Sequence, residues 1–307
     1  MRRMKKFLMV AAALVAAVAM LPSPTAAQGF QVNGIQVAPF RAVSNSDVIT
    51  AVHTVPALYI KYVGSSAGTA TVAVAAGGDM TLQVAGANDT TVNPAAGLFA
   101  AACGATPGVL DLSTPAGTCN TLGKVVDVIN GSANWVAVLG SALRADTSDN
   151  ALKDFVAASA KLETGLPIYQ ETTSGLTATL DLSAFSTRGI RNWLPNSNGK
   201  LPANPFADFN TVLQYASENV TTTDNAANLI NVYCVTEANN KGGVSSESVR
   251  TMYFEALAAT TTTGKVDEFL NAGGLVCNGG KLLVRVNGNT TLTAPALLAT
   301  GYVQTKQ

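Results

Sequence analysis

The chain has 307 residues, 19 of them Lys or Arg and 19 Asp or Glu, and only 12% are charged, about half the usual share of a globular protein. Four of the bases, Arg2, Arg3, Lys5 and Lys6, sit in an N-terminal leader without acids, so the remainder carries fifteen bases against nineteen acids and a net charge of −4. That balance argues against nucleic acid or an anionic membrane surface as partner, because both select clustered Lys and Arg.

The leader reads as a bacterial secretory signal over residues 1–27: a basic start, an apolar run from Phe7 to Leu21, and the small residues Thr25-Ala26-Ala27 before the cut. The run falls short of the roughly 20 residues a spanning helix needs, so the expected product is secreted, to the periplasm or outside the cell, without membrane insertion. The new start, from Gln28 to Val37, holds Asn33-Gly34 between alternating apolar residues, the strongest short hairpin signal. A two-residue turn sets Phe30 against Val37, Gln31 against Gln36 and Val32 against Ile35, with Pro39 expected to end the pairing. The face of Phe30, Val32, Ile35 and Val37 must be buried, on this chain's strands of 58–85 or on a neighbouring copy, with polar residues 41–54 as the tether.

Residues 58–85 contain LYIKYVG, TATVAVA and DMTLQVA, separated by glycine-bearing turns. In the last run Met80, Leu82 and Val84 alternate with Asp79, Thr81 and Gln83, the period of a half-buried strand. All three runs are expected in one sheet. A Gly-, Pro- and Ala-rich excursion over 88–118 follows. Helical spacing of Leu122, Val125, Val126 and Ile129 predicts a helix over 121–130, capped by Asn120 or Thr121. Residues 135–139 read as a strand. Leu152, Phe155, Val156 and Ala160 predict a second helix over 150–162, capped by Asp149.

The composition shifts at 165–175, which places the expected units at 28–170 and 171–307, sharing one core or keeping two. In the second unit 176–182, 229–236, 249–257, 281–286 and 291–303 read as strands. Short helices are expected around Phe206, Phe209 and Leu213 and over 265–271. The last two strands are expected to form a hairpin with Val284 opposite Leu292, and Val249, Thr251, Tyr253, Glu255 and Leu257 to share one strand face. The fold class is therefore mainly β with a few short helices (α+β), in antiparallel, sandwich-like sheets stapled by disulfides.

The cysteines Cys103, Cys119, Cys234 and Cys277 are even in number in an exported chain, so disulfides are expected. The sequential pairing, Cys103 with Cys119 and Cys234 with Cys277, is favoured, and each bridge contributes roughly 3–4 kcal/mol in the loop-entropy model. No cysteine pair has zinc-ligand spacing, and the single histidine, His53, is remote.

Chemistry is sparse. Gly64-Ser65-Ser66-Ala67-Gly68 matches the nucleophile elbow literally, but that motif needs a helix after it and an acid and then a histidine downstream. Here a strand follows and His53 precedes, so the segment reads as a Gly/Ser loop. The acids form no constellation, and Asp146, Asp149 and Asn150 lack EF-hand spacing. Trp193, between Asn192 and a Pro-rich stretch, is the one candidate for contact with a glycan. Sequons stand at Asn88, Asn130, Asn219 and Asn289. No catalytic residue, cofactor or metal is expected. The leading expectation is a non-enzymatic structural protein of the bacterial surface or extracellular matrix that self-associates into a homo-oligomer, fibre or layer. The alternatives are an exported carbohydrate- or ligand-binding module and an exported hydrolase using dispersed carboxylates.

Overall fold

The computed structural model describes residues 30–32, 35–44, 52–75, 78–113, 119–148, 152–162, 165–171, 177–181, 209–221, 228–257, 263–268, 274–287 and 293–305. The leader, Trp193 and the Asn287–Asn289 turn's last two residues lie outside this set. The described residues are mainly β, in antiparallel sheets, with one helix.

β1 (Phe30–Val32) and β2 (Ile35–Ser44) pair in the register set by the Asn-Gly turn, Phe30 with Val37, Gln31 with Gln36 and Val32 with Ile35. Pro39 does not end the strand. β2 continues to Ser44, and its residues 37–44 pair with residues 304–297 of the last strand. With a two-residue turn the backbone amides of Ile35 and Val37 point toward β1. Position 39 then faces the same side, beyond the end of β1, where a missing N–H costs no ladder bond. The hairpin thus docks on the C-terminal strand of its own chain and not on the strands of 58–85. Nor is 41–54 an extended polar tether, since it contributes strand at both ends.

The three runs of 58–85 divide between two sheets. β3 (Val52–Tyr62) lies between β8 (Trp135–Leu139) and β10 (Leu166–Glu171). β4 (Ala70–Val74) and β5 (Asp79–Val84) pair with each other as expected, in a separate sheet with β6 (Ala87–Asn88), β7 (Val109–Asp111) and β9 (Phe155–Ser159). Burial explains the split. Leu58, Ile60 and Tyr62 point into the core, yet Tyr59 and Lys61 on the opposite face are also buried. All five residues of β8 are buried as well. A strand buried on both faces belongs to a middle layer, whereas β4 shows the alternation of an outer one.

A single apolar cluster takes Leu58 and Ile60 from the middle sheet, Val72, Met80 and Leu82 from the outer sheet, and Leu122, Val125 and Ile129 from α1 (Leu122–Gly131). Thr121 caps α1 by accepting a hydrogen bond from the Lys124 N–H. At its other end the buried Asn130 donates to the Ala137 carbonyl at 2.9 Å and accepts from the Ala137 N–H at 2.8 Å. This side chain pairs with β8 as a strand residue would, so the sequon at Asn130 is closed to glycosylation in this fold. Cys103 and Cys119 form a disulfide within the same cluster.

Residues 152–162 do not form the expected helix, and the start of that stretch with its Asp149 cap lies outside the described residues. β9 pairs with β4 as Ser159 to Thr71, Ala158 to Val72 and Phe155 to Val74, so Val156 and Ala157 together oppose Ala73. This bulge brings Phe155 and Ala158, three residues apart, to the same core, which imitates a helical period. Val156, assigned to the apolar stripe, is 89% exposed.

The remaining strands are β11 (Thr177–Asp181), β12 (Phe209–Thr221), β13 (Asn228–Ala238), β14 (Ser246–Leu257), β15 (Thr263–Glu268), β16 (Leu275–Asn278), β17 (Lys281–Asn287) and β18 (Thr293–Thr305). The residues expected as helix at Phe209 and Leu213 belong to β12, and Lys265–Glu268 to β15, while Phe206 and residues 269–271 lie outside the described residues. Each is held by long-range pairing, β12 to β18 on one side and to β15 and β16 on the other. Among the described residues β17 and β18 do not pair as the expected hairpin, and Leu292, set opposite Val284, lies outside them. β17 pairs with β11 and β13, whereas β18 pairs with β12 and β2. In β14 the common face of Val249 to Leu257 is broken, because Val232 pairs with Tyr253 and Tyr233 with Thr251, leaving Met252 as an extra residue. The second disulfide, Cys234–Cys277, ties β13 to β16 across two sheets.

A polar seam, partly buried, joins the middle layer to β13, β14 and β17. The Lys281 ammonium pairs with Glu237 and donates to the carbonyls of Leu139 and, at 3.0 Å, Gly140. Lys241 reaches the carbonyls of Ser132 and Trp135, and enclosure of its ammonium lowers its pKa to about 8. Arg144 pairs with Asp127, whose other oxygen accepts from the Ser245 N–H at 3.1 Å. Glu247 accepts from the Arg144 N–H at 2.9 Å with one oxygen, and its other oxygen is buried without a partner among the described residues.

Burial raises the Glu247 pKa, against the opposing pull of Lys281 and of the Arg144 N–H. A raised carboxylate pKa means that the folded state keeps a proton the unfolded state has released, so stability falls as pH rises from the unfolded pKa to the folded one, and the loss is complete above it. Glu247→Gln is therefore expected to unfold at higher denaturant than the parent at pH 7, with the difference vanishing near pH 4. Lys281→Ala removes one partner of a buried pair and orphans two carbonyls. It should lose about 3–5 kcal/mol in urea unfolding at pH 7, and a loss below about 1 kcal/mol would show that the seam is solvated.

Candidate functional site

One cavity among the described residues combines polar side chains from three distant parts of the chain. It measures about 390 Å³ and opens where the middle and outer sheets meet. Tyr62 comes from the end of β3, Ser65 from the loop after it, Asn88 from β6, Asp89 and Thr90 from the turn that follows, and Asn134 from the α1–β8 connection.

The loop carrying Ser65 and Ser66 is fixed by backbone bonds from Val63 N–H (2.8 Å) and Gly64 N–H (3.2 Å) to the Asn134 carbonyl. Gly64 cannot carry a side chain, since a Cβ there would run into the Tyr62 hydroxyl and Asn134 Oδ1. Opposite, β5 turns into β6 through Ala85 (φ 51°) and Gly86 (φ 80°), with Val84 paired to Ala87. Two left-handed residues in a two-residue loop make a type I′ turn, whose twist matches that of the strands.

Asp89 organises the floor. Its Oδ1 accepts from the Thr91 N–H (3.0 Å) and hydroxyl (2.7 Å), and its Oδ2 from Asn134 Nδ2 (3.1 Å) and Trp135 Nε1 (2.9 Å). Burial works to raise the carboxyl pKa, but these four hydrogen bonds outweigh it and hold the group below its ordinary value of 3.8. Trp135 is fully buried and meets the Tyr62 ring edge-on, with centroids 5.1 Å apart. At the rim Lys161 lies 5.5 Å from the Tyr62 ring centroid and donates to the Ser66 carbonyl at 2.7 Å. The site therefore holds one fixed anion, one cation at its edge, and a set of hydroxyls and amides.

Ser66 stands in a loop between two strands, as its glycine flanks imply. His53 lies near the opposite end of β3, nine residues before Tyr62, which at about 3.3 Å per residue puts them roughly 30 Å apart along the strand. Asp146 accepts from the Leu143 N–H at 2.7 Å and shapes its own turn. Asp149 and Asn150 lie outside the described residues, as does Trp193. Among the described residues no group of three or more His, Cys, Asp or Glu is placed to share a metal ion, and no helix is long and apolar enough to cross a membrane. Tyr62, Asp89 and Asn134 carried no functional reading in sequence. Asp89-Thr90-Thr91 does have the form of an Asx turn, but nothing local announces its bond to Trp135.

Asp89→Ala should cost on the order of 3 kcal/mol, because it leaves the buried Trp135 N–H unpartnered and removes charged hydrogen bonds. The depressed pKa means that the stability Asp89 contributes is complete above its unfolded pKa and is lost as pH falls through the folded one. Asp89→Asn should accordingly flatten the acid limb of a stability profile measured between pH 5 and pH 2, and an unchanged limb would remove Asp89 from the anchoring role.

No known family model matches this chain, and no curated protein matches it. Among solved structures it is similar to one described as "Structure of infectious bursal disease virus Gt strain", at 10% identity over 92% of this chain and 73% of that one, with a TM-score of 0.19. That score lies too low to bear on fold or function.

Proposed function

We propose that the chain is a secreted, non-enzymatic structural protein of the bacterial surface or matrix, and that its copies join by exchanging the N-terminal hairpin. The supporting observation is topological. β1 and β2 belong to a sheet whose other strands, β12, β15, β16 and β18, all come from the last hundred residues of the chain. Within that sheet the hairpin is held through one strand, β18, over residues 37–44. The next strand, β3, lies in a different sheet.

An element that leaves its neighbours in sequence and completes a distant sheet by backbone pairing occupies the same β18 edge equally well on its own chain or on the next. The pairing is identical in both arrangements, so the exchange requires no new contact surface, only a connection long enough to span two copies. Repetition of the step builds an open polymer. The leader, the low charge and the two disulfides agree with life outside the cytoplasm.

Deletion of residues 28–40 from the processed protein tests the route. The expected product is folded by circular dichroism and monomeric in gel filtration, where the parent forms higher species. Unfolding of the deleted form would make the hairpin an integral part of its own core, and unchanged assembly would place the contact surface elsewhere. Either result overturns hairpin exchange.

A further inference from the structure

We infer that the cavity between Tyr62 and Asn134 is a binding site for a neutral, polyhydroxylated ligand, namely one or two sugar residues. This site is independent of the hairpin and of any polymer it builds.

The first argument is which groups are already used. Asp89 has four protein donors on its two oxygens, so its charge is compensated within the floor and is not offered to a cation. Lys161 is engaged with the Ser66 carbonyl and the Tyr62 ring at the rim. The carboxylate is thus not left to select a cation, and the Lys161 ammonium, on an exposed side chain, is screened by solvent. The second argument is which groups are not used. The Tyr62 oxygen accepts from the Ser66 N–H at 3.3 Å, which leaves its proton to donate. The Asn88 Oδ1 accepts from Gln83 at 3.1 Å, which leaves its amide N–H₂ group unused. Asn134 donates through Nδ2 to Asp89 and Thr91, so its Oδ1 is the acceptor that remains. Ser65 and Thr90 add hydroxyls that both donate and accept.

Donors and acceptors gathered in one recess match the vicinal hydroxyls of a sugar, each of which is both donor and acceptor. Val84 and Ala87 complete the lining with an apolar wall, suited to the C–H face of a pyranose ring. A volume of about 390 Å³ lies at the small end of ligand sites. The recess is also built in advance: the Asn134 carbonyl holds the Ser65 loop, and Asp89 holds the Asn134 side chain. Little ordering cost then falls on binding.

The test uses the processed full chain, folded and isotope-labelled, titrated separately with cellobiose, maltose and N,N′-diacetylchitobiose, and followed by amide chemical shifts. The expected result is saturable shifts for at least one of them, confined to residues 63–66, 87–91 and 134, with a dissociation constant on the order of 1 mM. Thr90→Val removes a hydroxyl that holds nothing else and should weaken that binding about tenfold. Ala87→Phe fills the recess without touching the Asp89 network and should abolish it, with the melting temperature unchanged. Absence of saturable shifts with all three sugars, or shifts that persist in Ala87→Phe, would overturn the assignment.

Discussion

Strands buried on both faces must be covered twice, and β3 and β8 impose that requirement on everything around them. Their first face is covered by α1 and the outer sheet, and the result is one dry cluster from Leu58 to Ile129. The second face is closed differently. Val136 and Val138 are buried there, but the groups that reach across from the later strands and their connection are Lys281, Lys241, Glu247 and Ser245, which bond to the carbonyls of Gly140 and Trp135, to the Arg144 N–H and to Asp127. One covering layer is oil and the other is hydrogen bonds. The second kind is directional, so it fixes how the later strands sit on the earlier ones, at the cost of charges that burial disfavours.

The same requirement creates the cavity. Where the chain leaves β3 for the outer sheet it must change layers, and the Gly64–Gly68 stretch is the crossing. Two layers that diverge leave a gap at the crossing, and polar side chains line it because backbone there is not paired in either sheet. Asp89 and Trp135 close the bottom of the gap, one from each side. Structural need therefore explains the anchoring bonds. It does not explain the unused hydroxyls of Ser65 and Thr90 among the lining residues.

Errors of local reading share one cause. At 150–162 a bulge on an edge strand spaces Phe155 and Ala158 as a helix would. At Phe209 and Leu213, and from Lys265 onward, short apolar spacings sit in strands whose partners lie far along the chain. Periodicity over a few residues does not distinguish a turn of helix from a bulged strand, and long-range pairing overrides weak local preference. Where pattern and turn chemistry agreed, the reading was sound. The Asn33-Gly34 register, the α1 boundaries with their Thr121 cap, the β8 strand and the β4–β5 pair all belong to this group.

By itself the sequence determined the mainly β composition, the hairpin register and the single well-marked helix, because each depends on residues within a few positions of one another. It also favoured the disulfide partners, since each cysteine pairs with its nearest neighbour. Only the tertiary structure decided which strands share a sheet, that β2 passes through Pro39 to reach β18, and that Asp89 meets Trp135 and Asn134. Those outcomes depend on which surfaces remain uncovered after the local elements form. A buried carboxylate in particular finds its donors from across the fold, 45 and 46 residues away, where no spacing rule reaches.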